Sequence, residues 1–507
     1  MLKKILCTLV IATGFVSVSI AQKIVYSEPD RDDQKSLNFD IVGKISNHIL
    51  VYKNNRNDHN IVIFDNDMKV VEKKQLDFLP DKVLSTDILS YKDFFYFFYQ
   101  YQKRNIVYCF AAKMDGNGAL IGEPKQLDTT AISFFASNKL YTIINSDDKQ
   151  KIMVLKVNTR NSENNTLTTS LFSQDLTLVH KSRIAIPMPE RSDFLTEFTL
   201  DNDGGLAFVR PAGTAQNDNI TGLTFITKTP LADEVSFNNL EVSKIYLDDI
   251  RIKADNINKR YLVTSFFSKI KRGNIEGLYC MVWDKQNGTV ISTASTLFTD
   301  EMRNDAKSEG SLKTAFNDFF LQKIIVRKDG GFAIAAESVY TSTRGIYNNR
   351  WDYLYGSPYT SLSDYYYWGS PYGSYYSPWG RWGTNNQINR YFADNIIMMS
   401  FDSVAALQWS NVIHKSQYDD YTDNFISYGT LNTGGEIHFL FNQLERRTQL
   451  LTDQSINADG QANRAPTLHN LSKEYQFMPK YGKQVGSREI IIPCEYRNFV
   501  CFAKVEF

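Results

Sequence analysis

The aromatic side chains between Trp351 and Trp382 are the groups in this chain best suited to holding a ligand. There, 13 of 32 residues carry an aromatic ring, spaced by glycine, serine and proline, and Tyr366, Trp368, Tyr375, Trp379 and Trp382 represent the set. Such rings offer broad contact area and a polar tip while losing little side-chain entropy, the mixture that grips protein surfaces and sugar faces. They are the candidate ligand-binding residues. Stacking on nucleic acid needs neighbouring cations, and Arg381 is the only basic residue inside the segment, so a nucleic-acid partner is set aside. The pairs Ser357-Pro358, Ser370-Pro371 and Ser377-Pro378 oppose regular structure and predict an exposed flap. A flap that folds back and buries its own rings fits the same residues.

Groups able to move protons or hold metals are scattered. His48, His59, His180, His414, His438 and His469 stand singly, with neither a His-Glu-x-x-His zinc pattern nor a Gly-x-Ser-x-Gly nucleophile turn. His438 alternates into the run Glu436 to Phe441 and reads as a strand residue rather than a ligand. Asp201-Asn202-Asp203-Gly204 and Asp115-Gly116-Asn117-Gly118 resemble pieces of calcium loops. Each lacks the alternating oxygens and closing glutamate of a complete site, so both read as turns. The acidic loop Asp419 to Asp423 reads as water-facing. No catalytic residue, metal ligand or cofactor is assigned. Carboxylates for glycoside cleavage would have to converge from distant parts of the chain.

Cys494 and Cys501 flank a six-residue stretch whose centre, Arg497-Asn498, suits a turn, which would set the two sulfurs opposite each other on neighbouring strands. An oxidised pair and two small buried hydrophobes are both compatible with that placement. Cys109 and Cys280 lie in apolar runs and read as core. The start of the chain resembles an export signal, with Lys3 and Lys4, an apolar stretch from Ile5 to Val18, and Ser19-Ile20-Ala21 before Gln22. Residues 1–21 are thus expected to be removed, leaving a secreted, periplasmic or cell-envelope protein with no remaining membrane anchor.

The elements that must position these residues show themselves by repetition. Four apolar strands end in a large side chain and an aspartate: Phe64-Asp65, Met114-Asp115, Trp283-Asp284 and Phe401-Asp402. An aspartate there can accept from the backbone two residues on and start a hairpin turn. Paired glycines at Gly204-Gly205, Gly330-Gly331 and Gly434-Gly435 mark further turns that need positive φ. The interval from Asp65 to Asp115 is 50 residues, and from Asp115 to Asp284 it is 169. One and three units respectively give a period of about 50–56 residues, near that of four-stranded propeller blades. Gly330 to Gly434 spans 104 residues, and the excess is the aromatic-rich insertion, residues 342–393. Residues 22–507 then read as one domain.

These turns resemble the β-propeller repeats of secreted bacterial proteins. The resemblance rests on the Asp-Gly-Gly turns at Gly204 and Gly330 and on the strand-aspartate hairpins, with Thr433 replacing aspartate in the copy at Gly434. The expected fold is all-β, a seven- or eight-bladed β-propeller of four-stranded antiparallel blades. Three strands at the carboxyl end, Gln476 to Gln484, Arg488 to Cys494 and Phe499 to Phe507, lack a fourth, and Lys23 to Ser27 is expected to complete that sheet. Thr299 to Gly310 predicts a short helix capped by Thr299. A rival fold is an outer-membrane β-barrel, because Phe499, Cys501, Ala503, Val505 and Phe507 alternate to a terminal aromatic. The 56 basic and 56 acidic residues cancel, so no global field recruits polyanions. The functional expectation is a non-catalytic binding or scaffold module for a protein or glycan, with a carbohydrate-active enzyme as the alternative.

Overall fold

The computed structural model describes residues 22–507, except 31–36, 56, 134–135, 137–138, 160–162, 191–192, 214–218, 243, 309, 344–345, 348–388, 421, 446–447 and 465–474. Eight antiparallel sheets follow one another along the chain, each with its strands in sequence order apart from the last. Their innermost strands are Asn38–Ile45, Ser85–Ser90, Thr142–Asn145, Thr196–Leu200, Tyr246–Asp255, Phe319–Val326, Tyr428–Asn432 and Lys483–Gly486, defining blades 1 to 8. The inner strand of blade 1 packs against those of blades 2 and 8, and the inner strands of blades 3 to 6 pack in succession, so the sheets stand around a common axis. The protein is an eight-bladed β-propeller.

Each junction between neighbouring blades has its own apolar core. Phe97, Tyr52 and Ile61 pack between blades 1 and 2, Phe225, Val263 and Trp283 between blades 4 and 5, and Phe39, Val51 and Phe502 between blades 8 and 1. Middle strands are therefore buried on both faces: every residue of Arg260–Ser268 is buried. Outer strands have one blade fewer to touch and read as wet, as in Val70–Gln75.

The turn that joins inner to second strand, or third to outer, repeats one device. Asp65 Oδ1 accepts from the amides of Asp67 and Lys69, each at 2.9 Å. Asp115 does the same for Asn117 and Ala119, Asp201 for Asp203 and Gly205, and Asp402 for Val404 and Ala406. Asn457 takes the role with Asp459 and Gln461. The fourth residue of each turn has positive φ: Met68 (58°), Gly118 (65°), Gly204 (93°), Ala405 (66°) and Gly460 (83°). Where that residue is not glycine it is apolar and fully buried, as Met68 and Ala405 are, so packing into the blade junction offsets the backbone strain.

Closure follows the expected seam. Lys23–Tyr26 pairs antiparallel with Phe499–Glu506 as the outer strand of blade 8, from Lys23 opposite Glu506 to Tyr26 opposite Ala503. Ser27 then exchanges hydrogen bonds with Phe502, its amide donating to the Phe502 carbonyl and its hydroxyl accepting from the Phe502 amide. The outer-membrane barrel is overturned, since the final strand pairs inside a four-stranded blade and the sheets never join into one closed cylinder. One strand expectation also changes. Gln476 to Gln484 is broken into Tyr475–Phe477 and Lys483–Gly486 by a 3-10 turn at Pro479–Tyr481, because Pro479 has no amide to donate to a ladder. The outer strand of blade 2, Lys125–Ala131, follows an excursion in which the Ile121 amide donates to the Lys113 carbonyl.

The helix Asp300–Ala306 forms under the expected cap, Thr299 Oγ1 accepting from the Met302 amide at 3.2 Å, but ends at Ala306, short of Gly310. Met302 and Ala306 lie in the core shared by blades 5 and 6. Arg303, also buried, donates to the carbonyls of Phe298, Ile275 and Glu276 and so pins the helix to the blade 5 strands.

Candidate functional site

Two regions place chemistry-bearing groups together: the stem of the aromatic insertion and the central channel. Tyr366, Trp368, Tyr375, Trp379 and Trp382 lie outside the described residues, and their root does not. The middle strands of blade 6, Phe332–Thr343 and Asn389–Phe401, are longer than those of any other blade and, past a bulge between Glu337 and Val339, stay paired to Thr343 opposite Asn389. Tyr340 and Phe392 stack across this extension with ring centres 4.5 Å apart, and Tyr418, on the short strand Gln417–Asp419 beside them, is 52% exposed. The Arg390 guanidinium lies 4.8 Å from the Tyr418 ring centre and pairs with Asp420.

A buried polar knot holds this stem. Lys415 and Glu337 form an ion pair at 2.7 Å, both side chains being 1% exposed. The ammonium also donates to the Ala393 carbonyl at 2.8 Å and to Gln417 Oε1 at 2.7 Å, so its three protons have three acceptors. That saturation makes Lys415 a strut between strands, not a nucleophile. The acidic loop is likewise internally engaged, through Asp419 with the Thr422 amide, Asp420 with Arg390, and Asp423 with Lys480.

The channel is lined by charge. Bulges interrupt the inner strands of blades 1, 4, 5 and 6, at Ile41/Gly43, Thr196/Thr199, Leu247/Ile250 and Leu321/Lys323, and each turns an extra side chain out of the alternation. In blade 4 the bulge puts Glu197 at φ 58° and directs its carboxylate to Arg251 Nη1 at 3.0 Å. Arg251 also reaches Asp249, whose second oxygen accepts from the Leu321 amide of blade 6. Charge thus staples three inner strands together.

On the opposite wall, Asp40 of blade 1 and Asp87 of blade 2 interact as like charges. Burial pushes the Asp87 carboxyl up to about 6, against the pull of Lys139 and with the added repulsion of Asp40. Burial raises Asp40 as well, opposed by Lys483 of blade 8. Neither residue stands out in the sequence, where 47 positions separate them and each sits in a weakly apolar run. A carboxyl that changes charge near pH 6 beside a second carboxylate is able to donate and accept protons.

Other sequence-marked residues serve structure. His438 donates to or accepts from Asp453, at 3.0 Å, and tilts against Phe507, while Gln22 Nε2 donates to the same buried Asp453 at 2.7 Å. Asp201 keeps both oxygens inside the protein, one in its turn and the other with Tyr261 and Lys285. Cys494 and Cys501 are directly opposite in register, both buried, with their sulfurs 2.8 Å apart and unbonded. Among the described residues no helix is long and apolar enough to cross a membrane.

No family model matches this chain, and no curated protein matches it. Among solved structures, an apocarotenoid oxygenase from Synechocystis is 10% identical with a TM-score of 0.33, covering 74% of this chain and 72% of its own. Oligopeptidase B from Trypanosoma brucei is 10% identical with a TM-score of 0.34, covering 84% and 46%. A prolyl endopeptidase is 9% identical with a TM-score of 0.35, covering 84% and 56%. Likenesses this distant carry nothing about activity.

Proposed function

We propose that this protein is a secreted, periplasmic or cell-envelope binding module, non-catalytic, that recognises a protein or glycan through the aromatic insertion of blade 6. The stem is the observation that supports this reading. Two strands run on beyond their blade, stay paired, carry a stacked Tyr340–Phe392 step and an exposed Tyr418, and are locked below by the Glu337–Lys415 pair. A contact loop mounted on a rigid base loses less entropy on binding than one on a free tether. Replacing residues 348–388 by a short turn leaves the stem and ring in place. Glycan-array binding by the full chain is expected to vanish in that variant while its circular dichroism is kept; equal binding by both chains would remove the insertion from the mechanism.

The alternative, a carbohydrate-active enzyme, is favoured by one observation, the like-charge interaction of Asp40 with the raised Asp87 carboxyl on the inner strands of blades 1 and 2. Release of reducing sugar from a polysaccharide panel, abolished by Asp87→Asn, would put catalysis ahead of binding alone.

A further inference from the structure

We infer that the cavity at the channel end bounded by the inner strands of blades 5, 6 and 7 and the turns of blades 3 and 4 is an oxyanion site, taking the phosphate or carboxylate of a small polar ligand. The cavity holds about 360 Å³, within the range of small-molecule sites. Its hydrogen-bonding groups are unequally used. The acceptors are consumed by the protein: Asp147 takes Lys253 at 2.6 Å and Asn256 at 2.8 Å, and Asp255 takes Arg260 and Asn258. Asn202 Oδ1 and Asn432 Oδ1 accept from the backbone amides of Asp148 and Gly434.

What remains is a set of donors. Lys323 spends one proton on Thr430 Oγ1 at 3.0 Å and has no carboxylate partner among the described residues. The side-chain NH2 groups of Asn202 and Asn432 are also uncommitted there, and both residues line the same space. A pocket whose acceptors are satisfied and whose donors are not is complementary to a ligand rich in acceptors.

Charge agrees. The Lys149 ammonium, from the blade 3 turn, donates to the Ser90 carbonyl at 2.7 Å and is lowered by burial and then by Lys483 of blade 8, which adds two more cations to this part of the ring. Desolvation at the channel wall, and then the nearby Lys253, hold Lys323 below the ordinary lysine range although its side chain stays open to the channel. Apolar carbons of Ile324, Val326 and Ile437 form the remaining wall, suited to the carbon face of a ligand whose anionic end meets Lys323.

The site shares no residue with the aromatic insertion, so either can fail alone. Isothermal titration of the full chain with inorganic phosphate and, separately, with glucuronate tests it, with glucose as the uncharged control. Saturable one-to-one binding of at least one anion and none of glucose is expected, phosphate alone indicating a phosphorylated ligand and glucuronate alone an acidic sugar. Lys323→Met should weaken that binding at least tenfold. Asn432→Asp, a change at an exposed position that brings a negative charge to the wall, should weaken it as much and keeps the test valid if the lysine variant misfolds. Absence of binding for both anions, or affinities unchanged in both variants, overturns the site.

Discussion

Asp87 is the residue through which the channel responds to pH. Its carboxyl is raised from the 3.8 of a free aspartate to about 6 by burial, which outweighs the pull of Lys139, with Asp40 adding a smaller push upward. The folded chain therefore binds this proton more tightly than the unfolded chain does, and stability falls as the pH rises from about 4 to about 6. Asp87→Asn should flatten that slope and leave the variant more stable than the parent above pH 6, by at most about 3 kcal/mol. Urea denaturation at pH 4, 5, 6 and 7 reads the difference; parallel pH profiles for the two chains would contradict it. At the same scale, the facing sulfurs of Cys494 and Cys501 are placed to join, while Cys109 and Cys280 sit in separate blades. Burial keeps all three shifted thiols, Cys109, Cys280 and Cys494, well above the ordinary range, so they react slowly while folded. After refolding in a glutathione redox buffer, thiol counting in denaturant should find Cys109 and Cys280 free and the other two blocked; four free thiols would assign the pair to packing alone.

At the scale of elements, the five-residue turns do unequal work despite one geometry. Asp201 is buried and serves two amides, Tyr261 and Lys285, whereas Asp402 serves two amides at the surface. Asp201→Ala should cost about 3 kcal/mol, because it strands buried donors, and Asp402→Ala about 1 kcal/mol. Thermal unfolding of the two variants separates them, and equal losses would mean the turn alone matters. These turns were legible in the sequence because an aspartate oxygen two and four residues from its donors is a local event. Middle strands were legible for a related reason: burial on both faces leaves continuous apolar runs such as Tyr261 to Phe267. Most of the inner strands were not. Asn38–Ile45 and Tyr246–Asp255 interleave apolar residues with Asp40, Arg251 and Lys253, a pattern that means nothing until a channel exists for the polar members to face. Candidate groups assembled from eight such strands have no spacing to find, so the aromatic insertion, which is contiguous, drew attention first.

For the molecule as a whole, the ring is only as sound as its seam. Removing residues 22–26 strips the outer strand from blade 8, bares the edge of Phe499–Glu506 and uncovers the partly buried Ile24, Val25 and Tyr26 contacts. A stability loss on the order of 3–5 kcal/mol is expected from that burial, along with association through the open edge. Light scattering and thermal melts of the truncated chain measure both; a monomer with the parent melting temperature would show that the seam is dispensable. The same seam sets an order of events in biosynthesis. The Ser27–Phe502 bonds join positions 475 residues apart, so Lys23–Tyr26 has no mate until the strand Phe499–Glu506 has been made. Until that mate emerges it is a lone sticky ribbon, open to pairing with the wrong edge.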